Sequence, residues 1–492
     1  MNKEQQSYRQ IFKATSLFGG VQVFNIVISI IRTKLIAVLL GPAGMGIAGL
    51  LTSTTGLVSG LTSFGLGTSA IRDVAAANEG GNPDRISVVV MVFRRLVWIT
   101  GILGALVTLI LSTWLSQFTF GNRNYTLLFI WLSVTLLFNQ LTNGQDVLLQ
   151  GMRKLKYLAK ANMAGSVTGL LVSVPIYYFW RIDGIVPSII LSSFFSLVIA
   201  WYFSSKIKIS KIKVSRQETF LEGKGMLKMG FMLSLSGLIS TAASYIVRVF
   251  ISNTGGVSDV GLYSAGFAII STYVGLVFTA MGTDYYPRLS VVAHDNVEAR
   301  LLINQQAEVA ILILAPILSL FLIFINWVVI LLYSTKFTPI NEMIHWAALG
   351  MYFKAASWSI GFIFLAKGAS NTFFWSELAA NSYLLLFNIL GYKYFGLNGM
   401  GISFLLSYIL VYLQVYLIAS IKYQFSITKE FHKVFVLQLI LGILCFIIIK
   451  FIPTPWSYIW GTPFICFSIW FSFRELDKRI ELRNIFSSYF KK

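Results

Sequence analysis

For its length the chain has very little cysteine, histidine or acid. Two cysteines, Cys445 and Cys466, among 492 residues exclude a disulfide framework. Each falls inside an apolar run, where a small buried hydrophobic side chain is explanation enough. Three scattered histidines, His294, His345 and His432, form no metal-ligand cluster and no Ser/His/Asp arrangement. A Gly-rich phosphate loop of the Walker type is absent as well. The expectation is therefore no metal, no cofactor and no enzymatic activity. Charge is also scarce: 12% of residues are charged against 56% hydrophobic, with a mean hydropathy of +0.74. That balance excludes a soluble enzyme. The apolar runs are continuous and do not alternate with polar residues, which excludes an outer-membrane β-barrel.

Apolar stretches of about 18 residues or more, long enough to cross a bilayer as helices, recur along nearly the whole chain. They predict about fourteen spans, at 14–40, 44–71, 87–112, 125–149, 159–180, 184–204, 229–252, 258–286, 305–333, 340–366, 372–395, 398–421, 434–452 and 456–473. The first is too long for the apolar core of a signal peptide and has no convincing small-residue cleavage site. Acids number 19 against 39 lysines and arginines, for a net charge of +20. In a soluble chain this excess would point to nucleic acid; here topology explains it. With a cytoplasmic N-terminus, inner segments and their flanks hold 30 of the 39 bases. Outer loops hold only Arg123, Arg181, Lys336, Lys393 and Lys450, and Arg32, Lys34, Arg248 and Lys354 lie within spans. This asymmetry puts both termini in the cytoplasm.

Two halves share one plan. Gly41 and Gly46 recur as Gly256 and Gly261 at an offset of 215, and Asp183-Gly184 through Ser188 and Ser192 recurs as Asn398-Gly399 through Ser403 and Ser407. Gly151 pairs with Gly368 at 217, and Arg32 with Arg248 at 216. Each half holds six spans and begins inside, which predicts parallel repeats related by a pseudo-two-fold axis along the membrane normal. The expected organisation is an all-α integral membrane protein with a six-helix lobe at 1–205, a basic cytoplasmic linker at 206–228 and a second six-helix lobe at 229–421. Two extra helices at 434–473 and a cytoplasmic tail at 474–492 complete it. The linker run from Lys206 through Lys211 and Lys213 anchors topology against anionic membrane lipids. The tail, mixing charge with Leu and Phe, reads as interfacial.

Inside the spans, polar residues form stripes at helical spacing. Gln22, Asn25, Ser29 and Arg32 share one face of the first span; Thr241, Ser244, Arg248 and Ser252 share one of the seventh. Asn139, Asn143, Asp146 and Gln150 line the fourth, and Glu377, Asn381 and Asn388 the eleventh. A charge within the bilayer costs roughly 2.5–3.5 kcal/mol on insertion scales and is kept where it faces a partner or a wet cavity. Two readings follow for Arg32 and Arg248. In one, each pairs with an intramembrane acid among Asp146, Asp284, Glu308 and Glu377, which are also possible coupling residues. In the other, the arginines join Lys34 and Lys354 in a cationic cavity that neutralises an anionic cargo, with guanidinium matching phosphate oxygens in pairs. Gln22, Asn25, Asn139 and Asn143 then complete the candidate substrate site.

The number of spans, the turn Leu40-Gly-Pro-Ala-Gly-Met-Gly-Ile47 after a cationic first span, and Gln150-Gly151 closing the fourth span resemble the Wzx-type O-antigen translocases. These belong to the multidrug/oligosaccharidyl-lipid/polysaccharide exporter superfamily, and the Gly-Pro-Ala-Gly stretch is especially similar to the branch that includes the enterobacterial common antigen flippase. The resemblance covers essentially the whole chain. It implies a bacterial inner-membrane flippase that moves an undecaprenyl-pyrophosphate-linked oligosaccharide outward by alternating access, in cooperation with a polysaccharide polymerase and a chain-length regulator. It carries a basic cavity lining over to Arg32 and, through the repeat, to Arg248. Three alternatives remain: a peptidoglycan-precursor flippase, a multidrug exporter of the same superfamily, whose cationic substrates call for an acidic cavity, and a non-transporting scaffold, which has no use for paired intramembrane arginines.

Overall fold

Long apolar runs leave the backbone no partner but itself, so helices carry the chain across the membrane. A computed structural model, which describes residues 3–80, 82–207, 209–210, 212 and 214–480, contains fifteen α-helices. They are α1 (Lys3–Thr62), α2 (Leu66–Glu79), α3 (Pro83–Ile110), α4 (Ser112–Phe120), α5 (Thr126–Gly151), α6 (Leu155–Trp180), α7 (Ile185–Ser204) and α8 (Arg216–Gly255). Then follow α9 (Val257–Ala268), α10 (Leu276–Val292), α11 (Asn296–Leu332), α12 (Asn341–Ala366), α13 (Ser370–Tyr423), α14 (Lys429–Phe451) and α15 (Trp456–Ile480). A π-helical turn, Ile269–Val274, joins α9 to α10.

Among the described residues, ten segments are long and apolar enough to cross a membrane. Three of them, Gly20–Thr62, Leu155–Ser204 and Ser370–Tyr423, are each interrupted by a turn and hold two of the expected spans. With α15 supplying the last, fourteen crossings result. The second span ends earlier than its apolar run: α1 stops at Thr62, and a separate helix, α2, starts after Gly65 in the left-handed region (φ 60°). The basic linker is shorter than expected, because α8 is already helical from Arg216. Lys208, Lys211 and Lys213 of that linker, and residues 481–492 of the tail, lie outside the described residues. The described part of the tail continues α15 to Ile480. Of the two cysteines only Cys445 is buried; Cys466 is exposed.

Contacts divide the chain into two compact units, Met1–Gly261 and Leu262–Lys492. In the first, α3 packs on α5 and α5 on α7, with Gly101 and Gly144 leaving room for Leu137 and Val97. A core of Leu66, Val74, Val89, Phe93, Leu96 and Leu148 lies between them. The N-terminus of α3 is fixed by Asn82, whose side chain accepts from the backbone of Asp84 and Arg85, with Pro83 at the first helical position. The helix α8 packs here too, against α1, α2, α3 and α4. In the second unit, α12 packs along α13, and α14 and α15 lie against α11. A buried amide network, Gln438 with Ser468 and Ser472, joins α14 to α15.

The repeat is written into the turns. Gly41 (φ 67°) and Gly256 (φ 89°) occupy the left-handed side of conformational space at an offset of 215, as do Arg181 (φ 49°) and Gly396 (φ 58°). After α5 and after α12 the chain makes the same cap. Met152, Arg153 and Lys154 donate backbone hydrogen bonds to Leu148, Gln150 and Leu149; Lys367, Gly368 and Ala369 donate to Ile363, Leu365 and Phe364. Every one of these residues maps at 215. The sequence pairing of Gly368 with Gly151 is therefore corrected: its structural counterpart is Arg153, also left-handed (φ 54°). Gly151 is small for a different reason, since Val74 packs where its Cβ would be.

Candidate functional site

Arg32 lies nine residues before the Gly41 turn, about 14 Å of helix at 1.5 Å per residue. The residue is half-buried, and its Nε is buried without a hydrogen-bond partner. Helix α6 packs along α1, and there Gly169 faces the guanidinium: a Cβ at Gly169 would lie 3.7 Å from Nη1. Two turns back along the same stripe, Asn25 accepts a hydrogen bond of 2.9 Å from the Ser166 hydroxyl, so α6 orients this face of α1. Gln22 and Ser29 are exposed, and Lys34 is half-buried.

Arg248 sits one residue nearer its turn than Arg32, eight residues before Gly256, so the two are not in strict register. It too is half-buried with its Nε buried and unpaired, while Nη1 donates to Ser244 one turn earlier, at 3.0 Å. Beside it, Tyr245 is buried, its hydroxyl 2.6 Å from that of Thr119, and Thr119 is 3.5 Å from Thr54. This chain of hydroxyls ties α8 to α4 and α1. Among the described residues no carboxylate lies within ion-pair distance of Arg32 or Arg248.

The four candidate acids are placed elsewhere. Glu308 is buried and paired with Arg479 at 2.8 Å, a bond that fastens α15 to α11. Asp284 is exposed and bonded to Arg288 on its own helix at 3.1 Å. Asp146 is half-buried, with one carboxylate oxygen sealed off and unpaired. Glu377 is half-buried and lends only its backbone carbonyl, to Asn381. Asn139 and Asn143 are exposed on α5. In the second unit, Lys354 is half-buried among rings, its ammonium 5.3–5.9 Å from the centroids of Phe278, Phe404 and Tyr408. Ring quadrupoles hold a cation without neutralising it. Among the described residues no group of three or more His, Cys, Asp or Glu side chains could hold a metal ion.

Sequence reasoning missed Arg479 as the partner of Glu308, because 171 residues separate them. It also missed the Tyr245–Thr119 contact, which no periodicity encodes.

The turns at Gly41 and Gly256 meet. A Cβ on Gly46 would overlap the Val257 carbonyl and stand 3.0 Å from the Gly261 nitrogen. One on Gly261 would overlap the Pro42 carbonyl and stand 2.9 Å from the Gly46 nitrogen. Pro42 and Val257 are themselves 215 apart, so the contact is reciprocal, the form taken by an isologous two-fold contact.

Comparison with known proteins adds four findings. A family profile described as polysaccharide biosynthesis protein matches residues 35–342. The lipid III flippase of Escherichia coli (strain K12) is 23% identical over 361 residues, covering 72% of this chain and 85% of that protein. A putative O-antigen transporter of Shigella flexneri is 24% identical over 324 residues, covering 64% and 75%. Among solved structures, a lipid II flippase, MurJ, in an inward closed conformation superposes with a TM-score of 0.71 at 14% identity, over 94% of this chain and 99% of that one.

Proposed function

Since this chain belongs to the polysaccharide biosynthesis protein family, we propose that it is a flippase carrying an undecaprenyl-pyrophosphate-linked oligosaccharide, an O-antigen or related surface-polysaccharide repeat unit, from the cytoplasmic to the periplasmic leaflet. The names of two relatives, a lipid III flippase and a putative O-antigen transporter, support the class of cargo. The observation that carries the mechanism is the pair of half-buried arginines, Arg32 and Arg248, without a carboxylate partner among the described residues. An uncompensated guanidinium in the bilayer is costly, and a diphosphate in transit is equally costly to desolvate. Each removes the cost of the other when they meet, and guanidinium binds phosphate oxygens bidentately.

In this reading Arg32 and Arg248 are the counter-charges and Lys354, held by its aromatic cage, is a third. Gln22, Asn25, Asn139 and Asn143 offer hydrogen bonds to sugar hydroxyls. Asp146 and Glu377, neither with a cation partner among the described residues, are the coupling candidates. The protein sits in the inner membrane with both termini cytoplasmic and delivers cargo to a polymerase and chain-length regulator.

The test is a pair of substitutions. Arg32→Ala and Arg248→Ala should leave protein abundance and melting temperature near wild type yet abolish surface polysaccharide. Lipid-linked oligosaccharide should then accumulate in the inner leaflet, where mass analysis identifies the glycan. Arg→Lys should recover part of the export, since charge survives while the bidentate fork is lost. Normal export by the double alanine variant sinks the cationic mechanism.

A further inference from the structure

On the first unit, away from α1 and α8, a groove of about 760 Å3 runs between α3, α5 and α7. Its volume falls within the roughly 300–1,000 Å3 of typical small-ligand sites. The walls are apolar, with Leu137, Phe138 and Val198 along the length and Trp98 and Trp201 exposed beside them. Its rim is polar and cationic. Arg94 lines it, is exposed, and makes no hydrogen bond or ion pair among the described residues. Its neighbour Arg95 is occupied, donating to Thr219 at 2.7 Å and to the Ser215 carbonyl. Gln145 also lines the groove; its amide oxygen accepts from Ser204 at 2.6 Å, while its amide nitrogen has no partner among the described residues. Close in sequence to the lining residues Ser205 and Ile207, Lys206 is stacked 4.3 Å over Tyr202.

The depth of these groups is set by helix length. The 20 residues of α7 span about 30 Å, one hydrocarbon thickness, so Trp201, Ser204 and Ser205 lie at its membrane boundary. Indoles favour that level, and a long arginine reaches it from slightly deeper. A free guanidinium and a free amide donor above an apolar channel match a phosphate diester and an ester carbonyl above an acyl chain.

We propose that this groove is a binding site for an anionic phospholipid of the leaflet it faces, with the phosphate on Arg94, an ester carbonyl on the Gln145 amide and one acyl chain along Phe138 and Val198. The site is separate from the proposed cargo residues: α5 contributes to both, but none of Arg32, Arg248, Lys354, Asn139 and Asn143 lines the groove. On the topology of the preceding section, that leaflet is the cytoplasmic one.

The full-length protein, purified in mild detergent, can be equilibrated with phosphatidylglycerol, phosphatidylcholine or undecaprenyl pyrophosphate and examined by native mass spectrometry. Phosphatidylglycerol should be retained about tenfold better than phosphatidylcholine: both present the same phosphate to Arg94, but the choline trimethylammonium is repelled by the cationic rim of Arg94 and Lys206. Arg94→Gln should abolish that preference, and Val198→Trp, which fills the groove from an exposed position, should reduce retention of both lipids. Arg72→Gln, remote from the groove, should change nothing. Equal retention of the two phospholipids by the wild type, or an undiminished preference in Arg94→Gln, would overturn the proposal. So would displacement of phosphatidylglycerol by undecaprenyl pyrophosphate with the same dependence on Arg94, since the groove would then be a cargo site. Loss of export in the Arg32 and Arg248 variants bears on the flippase reading alone and leaves this result untouched.

Discussion

At the scale of single residues, charges in this protein divide into those that hold helices together and those left uncommitted. Glu308 and Arg479 belong to the first group. Their side chains are 8% and 25% exposed, and Glu475 bonds the same guanidinium at 2.7 Å. Glu308→Ala should lower stability by about 2 kcal/mol, below the 3–5 kcal/mol typical of a fully buried pair because Glu475 remains. Glu308→Leu combined with Arg479→Met should recover most of that loss, read as melting temperature in detergent. Arg32 and Arg248 belong to the second group, and their alanine variants should keep that temperature. The stripes that place these arginines were legible in the sequence, because spacing by three and four is a property of one helix. The partner of Glu308 was not, because ion pairing over 171 residues depends on tertiary folding alone.

At the scale of elements, two glycine substitutions of similar size should have opposite effects. Gly46→Ala forces a methyl group into the Val257 carbonyl, so α1 and the start of α9 must separate or shift. Export should fall sharply and stability with it. Gly56→Ala, on the same helix with nothing within 4 Å, should be neutral or stabilise by up to about 1 kcal/mol. Turns give a second contrast. Gly368→Ala should cost about 1 kcal/mol for its left-handed backbone (φ 66°), although nothing crowds the position. At its counterpart, Arg153→Gly relaxes the same backbone and removes only an exposed ion pair with Glu79, so melting temperature should not drop. The pairing of Arg153 with Gly368 was hidden in the sequence for this reason. A glycine signals a left-handed turn, but an arginine forced into one by surrounding hydrogen bonds leaves no mark. The early end of the second span at Thr62 was hidden similarly, since an apolar run does not register the turn at Gly65.

At the scale of the whole molecule, the excess of basic residues is an orientation signal. After replacement of Cys445 and Cys466, single cysteines at Arg123, Arg181 and Lys393 should react with an impermeant reagent applied to spheroplasts. Cysteines at Lys156, Lys211 and Lys429 should not, and their labelling would reverse the topology. Composition made the membrane class plain, and run length gave the number of crossings, because both follow from the thickness of a bilayer. Where compact packing groups those crossings could not be read the same way: α8 opens the second repeat in sequence, yet it packs against α1 to α4.

The reciprocal contact of Gly46 and Gly261 also bears on the ancestry of the chain. Six crossings return a polypeptide to the side on which it started, so two copies of such a unit insert in the same orientation without any inversion. A patch that touches its own equivalent is what a dimer of identical six-helix chains would present to itself. In that dimer one mutation at the glycine would strike the contact twice, and neither side could change alone. Joining the copies end to end removes this constraint, because each position then varies independently. The one-residue difference in placement between Arg32 and Arg248, and an arginine where the other half keeps glycine, are the kind of divergence that such a fusion permits.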